Sequence, residues 1–232
     1  MVKISKLAAV LTAFAATTAL AGTAHAAGNP EGKIQVKVLA TAVLPDGAVK
    51  RVNSDVAGLV SSGAVRDTVA SDNVVPTVAI EYFVTPNISI ETICCATGHH
   101  VTISSGTFAG TEAVSNVVIV PATFTAKYHL PLPGGIKPYV GAGPTLFIML
   151  ADEPSSAVRG LGVTRTHLSS ELGVAVQAGV DVAIGHGYGI SLDAKKYWVG
   201  TNAKFYAGGT EVLSTRHKID PWVLSAGVTY RF

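Results

Sequence analysis

His167, Ser169 and Glu171 alternate along one strand-like stretch, so a base, a hydroxyl and a carboxylate would share a face. A serine nucleophile needs its base within hydrogen-bond reach and a third group to orient that base. The triplet lies in a long Ser/Thr-rich segment, however, and loop polarity accounts for it equally. His99-His100 and His217 have the right atoms for a metal but sit in polar loops without a zinc-type spacing. Adjacent Cys94 and Cys95 would point to opposite faces of a strand, which suits two inert thiols better than a strained vicinal disulfide. No glycine-rich phosphate cradle opens a helix. The expectation is a chain without catalysis, cofactor or metal.

A different chemistry runs through the charged residues. Lys33, Lys37, Glu81, Glu91, Lys127, Lys137, Asp181 and Arg231 all fall in, or for Lys33 directly before, segments where apolar and polar residues alternate, and always on the polar face. Eight such segments can be marked: 34–44, 74–84, 88–96, 117–130, 136–148, 171–184, 188–199 and 222–232. In the sixth, Leu172, Val174, Val176, Val180 and Val182 oppose Glu171, Gln177 and Asp181. In the last, Trp222, Leu224, Ala226, Val228, Tyr230 and Phe232 oppose Ser225, Gly227, Thr229 and Arg231. Period two is the strand signature, and each segment is about long enough to cross a tilted bilayer. The third segment, 88–96, has the weakest pattern.

The connections alternate in length. Thr85-Pro86-Asn87, Pro131 to Gly135 and Gly185-His186-Gly187 are short turns, while Pro45–Asn73, Thr97–Asn116, Ala151–Ser170 and Gly200–Ile219 are long and polar. Transmembrane barrels are organised in this way, with short periplasmic turns and long extracellular loops. Lys3 and Lys6 precede an apolar run from Leu7 to Ala21, and Ala24-His25-Ala26 fits a cleavage site, so residues 1–26 read as a signal peptide and 27–232 as the barrel. Lys3 and Lys6 also account for the formal charge of +2; without them 15 basic residues face 15 acidic ones, which gives a nucleic acid nothing to bind. Tyr82, Tyr128, Tyr188, Tyr230 and Phe232 project outward at the turn end, and Trp198 and Trp222 at the other, as two aromatic girdles would. The pattern predicts an all-β, eight-stranded antiparallel barrel, a monomer in the outer membrane of a Gram-negative bacterium. Its expected surroundings are outer-membrane lipid and lipopolysaccharide, and its C-terminal strand is the expected handle for barrel-assembly machinery.

Asn87-Ile-Ser-Ile-Glu-Thr-Ile, Val120-Pro-Ala-Thr-Phe-Thr-Ala-Lys-Tyr, Lys137-Pro-Tyr-Val-Gly-Ala-Gly, Gln177-Ala-Gly-Val-Asp and Asp220-Pro-Trp before a terminal Tyr-Arg-Phe resemble the OmpW family of small barrels, which includes the AlkL-type importers. The resemblance implies an apolar pocket open to the outside, a polar periplasmic floor and lateral release of small hydrophobic molecules into the membrane. Some members of that family also serve as bacteriocin receptors. Cys94-Cys95 departs from the small or apolar residues usual there, and the first loop is rich in Val, Ser and Asp rather than aromatics.

Eight strands enclose little more than a row of side chains or one small ligand, so the inward faces decide function. At the periplasmic half the eight charges named above should pair as a floor. At the outer half the inward positions turn apolar: Leu39, Val43, Val75, Ile93, Val117, Ile119, Phe147 and Val223. They suit a pocket for a small hydrophobic ligand, and equally a dry core in which they fill one another's space. Passage of small apolar molecules is the first reading. A sealed structural or receptor barrel with loop-borne binding is the second, and a lipid hydrolase using His167 and Ser169 the third.

Overall fold

Alternating branched or aromatic and small polar residues pack well only as extended strand, and closing the sheet removes its unpaired edges. The computed structural model describes residues 32–232. The expected signal peptide, residues 1–26, lies outside them. Fourteen strands are present among the described residues: β1 (Ile34–Leu44), β2 (Ala48–Ser54), β3 (Asp67–Ala70), β4 (Asn73–Phe83), β5 (Ile88–Cys94), β6 (Thr97–Ser105), β7 (Glu112–His129), β8 (Ile136–Pro154), β9 (Arg165–Leu168), β10 (Glu171–Gly185), β11 (Tyr188–Trp198), β12 (Gly200–Ala207), β13 (Thr210–Lys218) and β14 (Trp222–Arg231). A short helix, α1 (Ser156–Gly160), follows β8.

Eight of them close the barrel in the order β1-β4-β5-β7-β8-β10-β11-β14 and back to β1, every pair antiparallel. The chain is inside out relative to a water-soluble protein. Phe124 on the outer face is 56% exposed while Glu81 on the inner face is 0% exposed, as a lipid-facing wall requires. Tyr82, Tyr128, Tyr188, Trp198, Trp222 and Phe232 are exposed and Tyr230 half-buried. At the periplasmic end the Tyr188 and Tyr230 rings meet at a tilt with centroids 4.7 Å apart, and Tyr230 meets Phe232 at 6.0 Å.

The third segment is longer than its sequence suggests. β6 continues β5 in one register, with Ile93 opposite Thr123 and Thr97 opposite Ile119 on β7. Pro121 of β7 lies between those pairs. It has no N–H to donate, and the ladder lapses there. Cys94 is exposed and Cys95 buried across this lapse, both as free thiols.

The four long connections are largely strand rather than loop. β2, β13, β12 and β9 form a separate sheet in that order, while β3 and β6 extend the barrel sheet, and β7 and β8 run on as far as Glu112 and Pro154. Register shifts at Phe205/Tyr206, Ser214/Thr215 and Arg216/His217 break the alternation, which hides the strands from a period-two reading. Together these elements form an extracellular wall above the membrane. Its two seams lack ladders and are held by aspartates instead. Asp67 Oδ1 accepts from Val49 N–H at 2.8 Å between β3 and β2. Asp152 Oδ2 accepts from Leu168 N–H at 2.6 Å between β8 and β9, and Thr166 donates to the Asp152 carbonyl.

A candidate apolar vestibule above a charged floor

The interior has three storeys. In the lowest, Lys37 Nζ reaches Glu81, Glu91 and Asp181 at 3.0, 3.2 and 3.2 Å. Lys127 Nζ lies 2.9 Å from both Glu81 and Glu91. Lys195 joins Glu91 at 3.1 Å to Asp193 at 2.6 Å, and Tyr139 donates to Asp193 at 2.8 Å. His129 Nε2 sits 2.8 Å from Glu81, and Ser191 and Gln35 donate to Asp181. Glu81 and Glu91 face each other directly across β4 and β5, so the two lysines between them are what makes that pairing tolerable. Gly179 lies opposite Tyr139, and a Cβ there would collide with the tyrosine hydroxyl. The network fills the lumen at this level.

Three of the expected floor residues lie elsewhere. Lys33 is exposed and Lys137 half-buried; with Arg231 they line a depression of about 210 Å³ at the periplasmic mouth. For Lys33 and Lys137 the strand has reached the rim there, so an inward parity no longer means a buried position. Arg231 is buried, donates from Nε to the Gly32 carbonyl at 2.6 Å, and lies over the Phe83 ring. The residues missed were His129, Tyr139, Asp193 and Lys195. Asp193 and Lys195 alternate with Ile190 and Leu192 in the seventh segment, a signal sufficient to set them on the inner face.

The middle storey is a plug. Six of the eight expected pocket residues, Leu39, Val43, Ile93, Ile119, Phe147 and Val223, border a void of only about 30 Å³. That volume holds about one water and no organic ligand. Phe147 and Tyr197 close it, with ring centroids 5.4 Å apart. Val75 packs half-buried beside them. The dry-core alternative therefore describes this level, because eight strands leave no more room once Tyr197 enters.

The cavity is one storey higher. It measures about 360 Å³ and is walled by the extracellular strands, with Leu59, Ile103, Phe108, Val163, Phe205 and Leu213 prominent in the lining. Of the expected pocket residues, only Val117 and Ile119 reach it. Pro45, His99, Ile119 and Ile219 border both spaces and form the septum between them. Asp55 seats part of the roof: its carboxylate accepts the N–H groups of Leu59, Val60 and Ser61 at 2.8, 3.1 and 2.8 Å. Burial acts to raise its pKa, but those bonds outweigh it and hold the carboxyl below its usual range. The first loop thus contributes apolar surface to the cavity through aliphatic rather than aromatic residues.

The polar lining is already engaged. His217 Nδ1 donates to the Gly47 carbonyl at 3.2 Å and Nε2 accepts from Thr215 at 2.7 Å, a tautomer inferred from those partners. His99 contacts Ser71 and Thr97, and His100 contacts Glu112 at 2.7 Å on the outer surface. Ser169 donates to Glu171 at 2.8 Å and accepts from Asn202 N–H at 2.9 Å, whereas His167 turns to Asp152 at 3.5 Å. His167 and Ser169 are thus held by different partners and do not form a nucleophile–base pair.

A closed antiparallel barrel with lipid-facing girdles, a charged lumen and an apolar extracellular vestibule is an outer-membrane barrel protein. The OmpW family profile matches residues 30–232, and the chain belongs to the OmpW family. It is 33% identical over 162 residues to an uncharacterized outer-membrane protein of Sinorhizobium fredii, covering 70% of this chain and 67% of that one. It is 24% identical over 163 residues to a dibenzothiophene metabolism operon protein of Pseudomonas aeruginosa, covering 70% and 74%. The crystal structure of OprG from Pseudomonas aeruginosa shares the fold with a TM-score of 0.70 at 18% identity, covering 88% and 98% of the two chains.

Proposed function

We propose that the vestibule takes up small apolar molecules at the cell surface and passes them toward the membrane without catalysis. The observation that carries this is the apolar cavity of about 360 Å³ standing directly on a filled, charged barrel. Its size lies in the range of small-molecule sites, and each methylene buried there gains roughly 0.8 kcal/mol. One relative's name refers to dibenzothiophene metabolism, and dibenzothiophene is a flat apolar heterocycle of suitable character. Descent through the floor would strip paired charges, so exit through the wall is favoured. Pro121 lies where the ladder of β7 with β5 and β6 lapses at the level of the plug, while its pairing with Phe147 on β8 continues, so the weak line in the wall is on the β5–β6 side. The packed plug favours a second reading, binding in the vestibule without passage.

The test is uptake of an alkane-like fluorescent probe into liposomes. Leu213→Lys places a charge in the vestibule and should abolish both binding and uptake. Ile119→Lys, at the septum, should block uptake while leaving measurable binding. Binding without uptake by the wild type would establish the second reading, and neither binding nor uptake would refute both.

A further inference from the structure

The vestibule wall is electrically two-sided. Strands β2, β9, β12 and β13 carry six basic residues, Lys50, Arg51, Arg165, Lys204, Arg216 and Lys218, and one carboxylate, Glu211. Facing them, β3, β6 and residues 112–119 and 149–154 of β7 and β8 carry four carboxylates, Asp67, Glu112, Asp152 and Glu153, with no Lys or Arg. Thr201, Ala203, Leu213, Thr215 and His217 turn inward to the cavity, so the alternation sends Lys204, Arg216 and Lys218 outward. Three of these cations have a partner: Lys204 with Glu211, Arg216 with Glu171 and Lys218 with Asp46, at 3.3, 3.3 and 3.2 Å. Among the described residues Lys50, Arg51 and Arg165 have no carboxylate partner; Arg51 bonds to Asn53 and Arg165 lies over Tyr206.

The sheet itself contains an unfavourable pairing. Arg51 of β2 and Arg216 of β13 stand directly opposite each other. Like charges in that relation destabilise a sheet, and nothing in the cavity or the barrel requires them. An anion with several oxygens, gripped by both guanidinium forks, converts the repulsion into two charge-assisted contacts. Height narrows the choice of anion. Trp198 is followed within two residues by β12, and Trp222 follows β13 after three intervening residues. The basic face therefore rises directly from the outer aromatic girdle into the headgroup zone of the outer leaflet.

We propose that this face binds phosphate groups of lipopolysaccharide in the surrounding leaflet, with Arg51 and Arg216 as the central pair and Lys50 beside them. The site is independent of whether the vestibule carries a ligand. It would turn the acidic half of the wall away from the bound glycolipid and fix how the barrel sits among its neighbours.

Protein in phosphatidylcholine nanodiscs would be titrated with lipopolysaccharide and with the same material stripped of its phosphates. The wild type should bind the phosphorylated form at least about tenfold more tightly, and lose that margin as salt rises. Arg51→Gln/Arg216→Gln should lose the margin, Arg51→Lys/Arg216→Lys should keep part of it, and Glu112→Gln/Glu153→Gln should not weaken it. Thermal unfolding supplies a check on folding with a sign of its own. The Gln pair should be as stable as the wild type or more so without lipopolysaccharide, and less stable with it. Equal binding of the stripped form, full displacement by millimolar inorganic phosphate, or a loss of stability in both bilayers would overturn the proposal.

Discussion

Lys127 and Leu213 both point into the interior of this protein, yet one closes a lumen and the other lines a hollow. Around Lys127 each of the eight strands pairs with both neighbours, and their narrow ring leaves space only for side chains that meet. Those side chains are charged, so their packing is also their neutralisation. Around Leu213 the wall is made of two sheets meeting at aspartate-held seams, and this looser enclosure leaves about 360 Å³ free. Selection for a ligand can act on the vestibule without disturbing the paired charges below, because the plug of Phe147 and Tyr197 stands between them. The two regions should therefore respond oppositely to mutation: the floor through stability, the vestibule through binding.

The largest effect should come from Glu81→Ala. Glu81 receives Lys37, Lys127 and His129, and its removal leaves buried cations short of a partner. Breaking such a network costs about 3–5 kcal/mol. Urea unfolding in bilayers, read by heat-dependent gel mobility, should show the midpoint collapse or the barrel fail to form. Ala203→Leu should behave in the contrary way. Ala203 is buried against the cavity, and added methyl groups there enter free space, so stability should change by less than about 1 kcal/mol. Probe binding should fall severalfold as the space fills. A mutant that loses stability and binding together would show that the two storeys are one cooperative unit.

The barrel was legible because alternation reports which side of a sheet a residue faces, and lipid on one side makes that report unambiguous at Phe124, Leu172 or Trp222. The charged floor was legible for the same reason at Lys37, Glu81, Glu91, Lys127 and Asp181. Lys33 and Lys137 went wrong because parity carries no information about height. The vestibule was hidden for two physical reasons. Extra residues at Lys50 and Asn53 reset the alternation of β2, one at Val212 resets that of β13, and β9 is only four residues long. The cavity residues also come from separate connections, so no single stretch looks like a pocket. Leu39, Val43 and Phe147 were correctly apolar and inward, but the sequence does not state how much space Tyr197 takes from them.

The smallest effect concerns pH and falls on the seam between β2 and β3. His217 lies on β13 but bonds to Gly47 just before β2 and to Thr68 on β3, so it ties three elements together. Burial disfavours its charged form and outweighs the opposing help of the Gly47 carbonyl and Asp67, so its pKa lies below the ordinary histidine value. A histidine held neutral in the closed wall but free to protonate in an opened one stabilises the closed form fully above about pH 6.5. That contribution is lost as the pH falls through the lowered value. The vestibule should therefore exchange its backbone amides faster and bind the probe more weakly on going from pH 7.5 to 5, while the floor stays protected. His217→Gln should cost about 1 kcal/mol in the wall and flatten the pH dependence. A dependence that persists in the mutant would rule His217 out as its source, and protection lost equally in both storeys would mean that the vestibule has no independent opening.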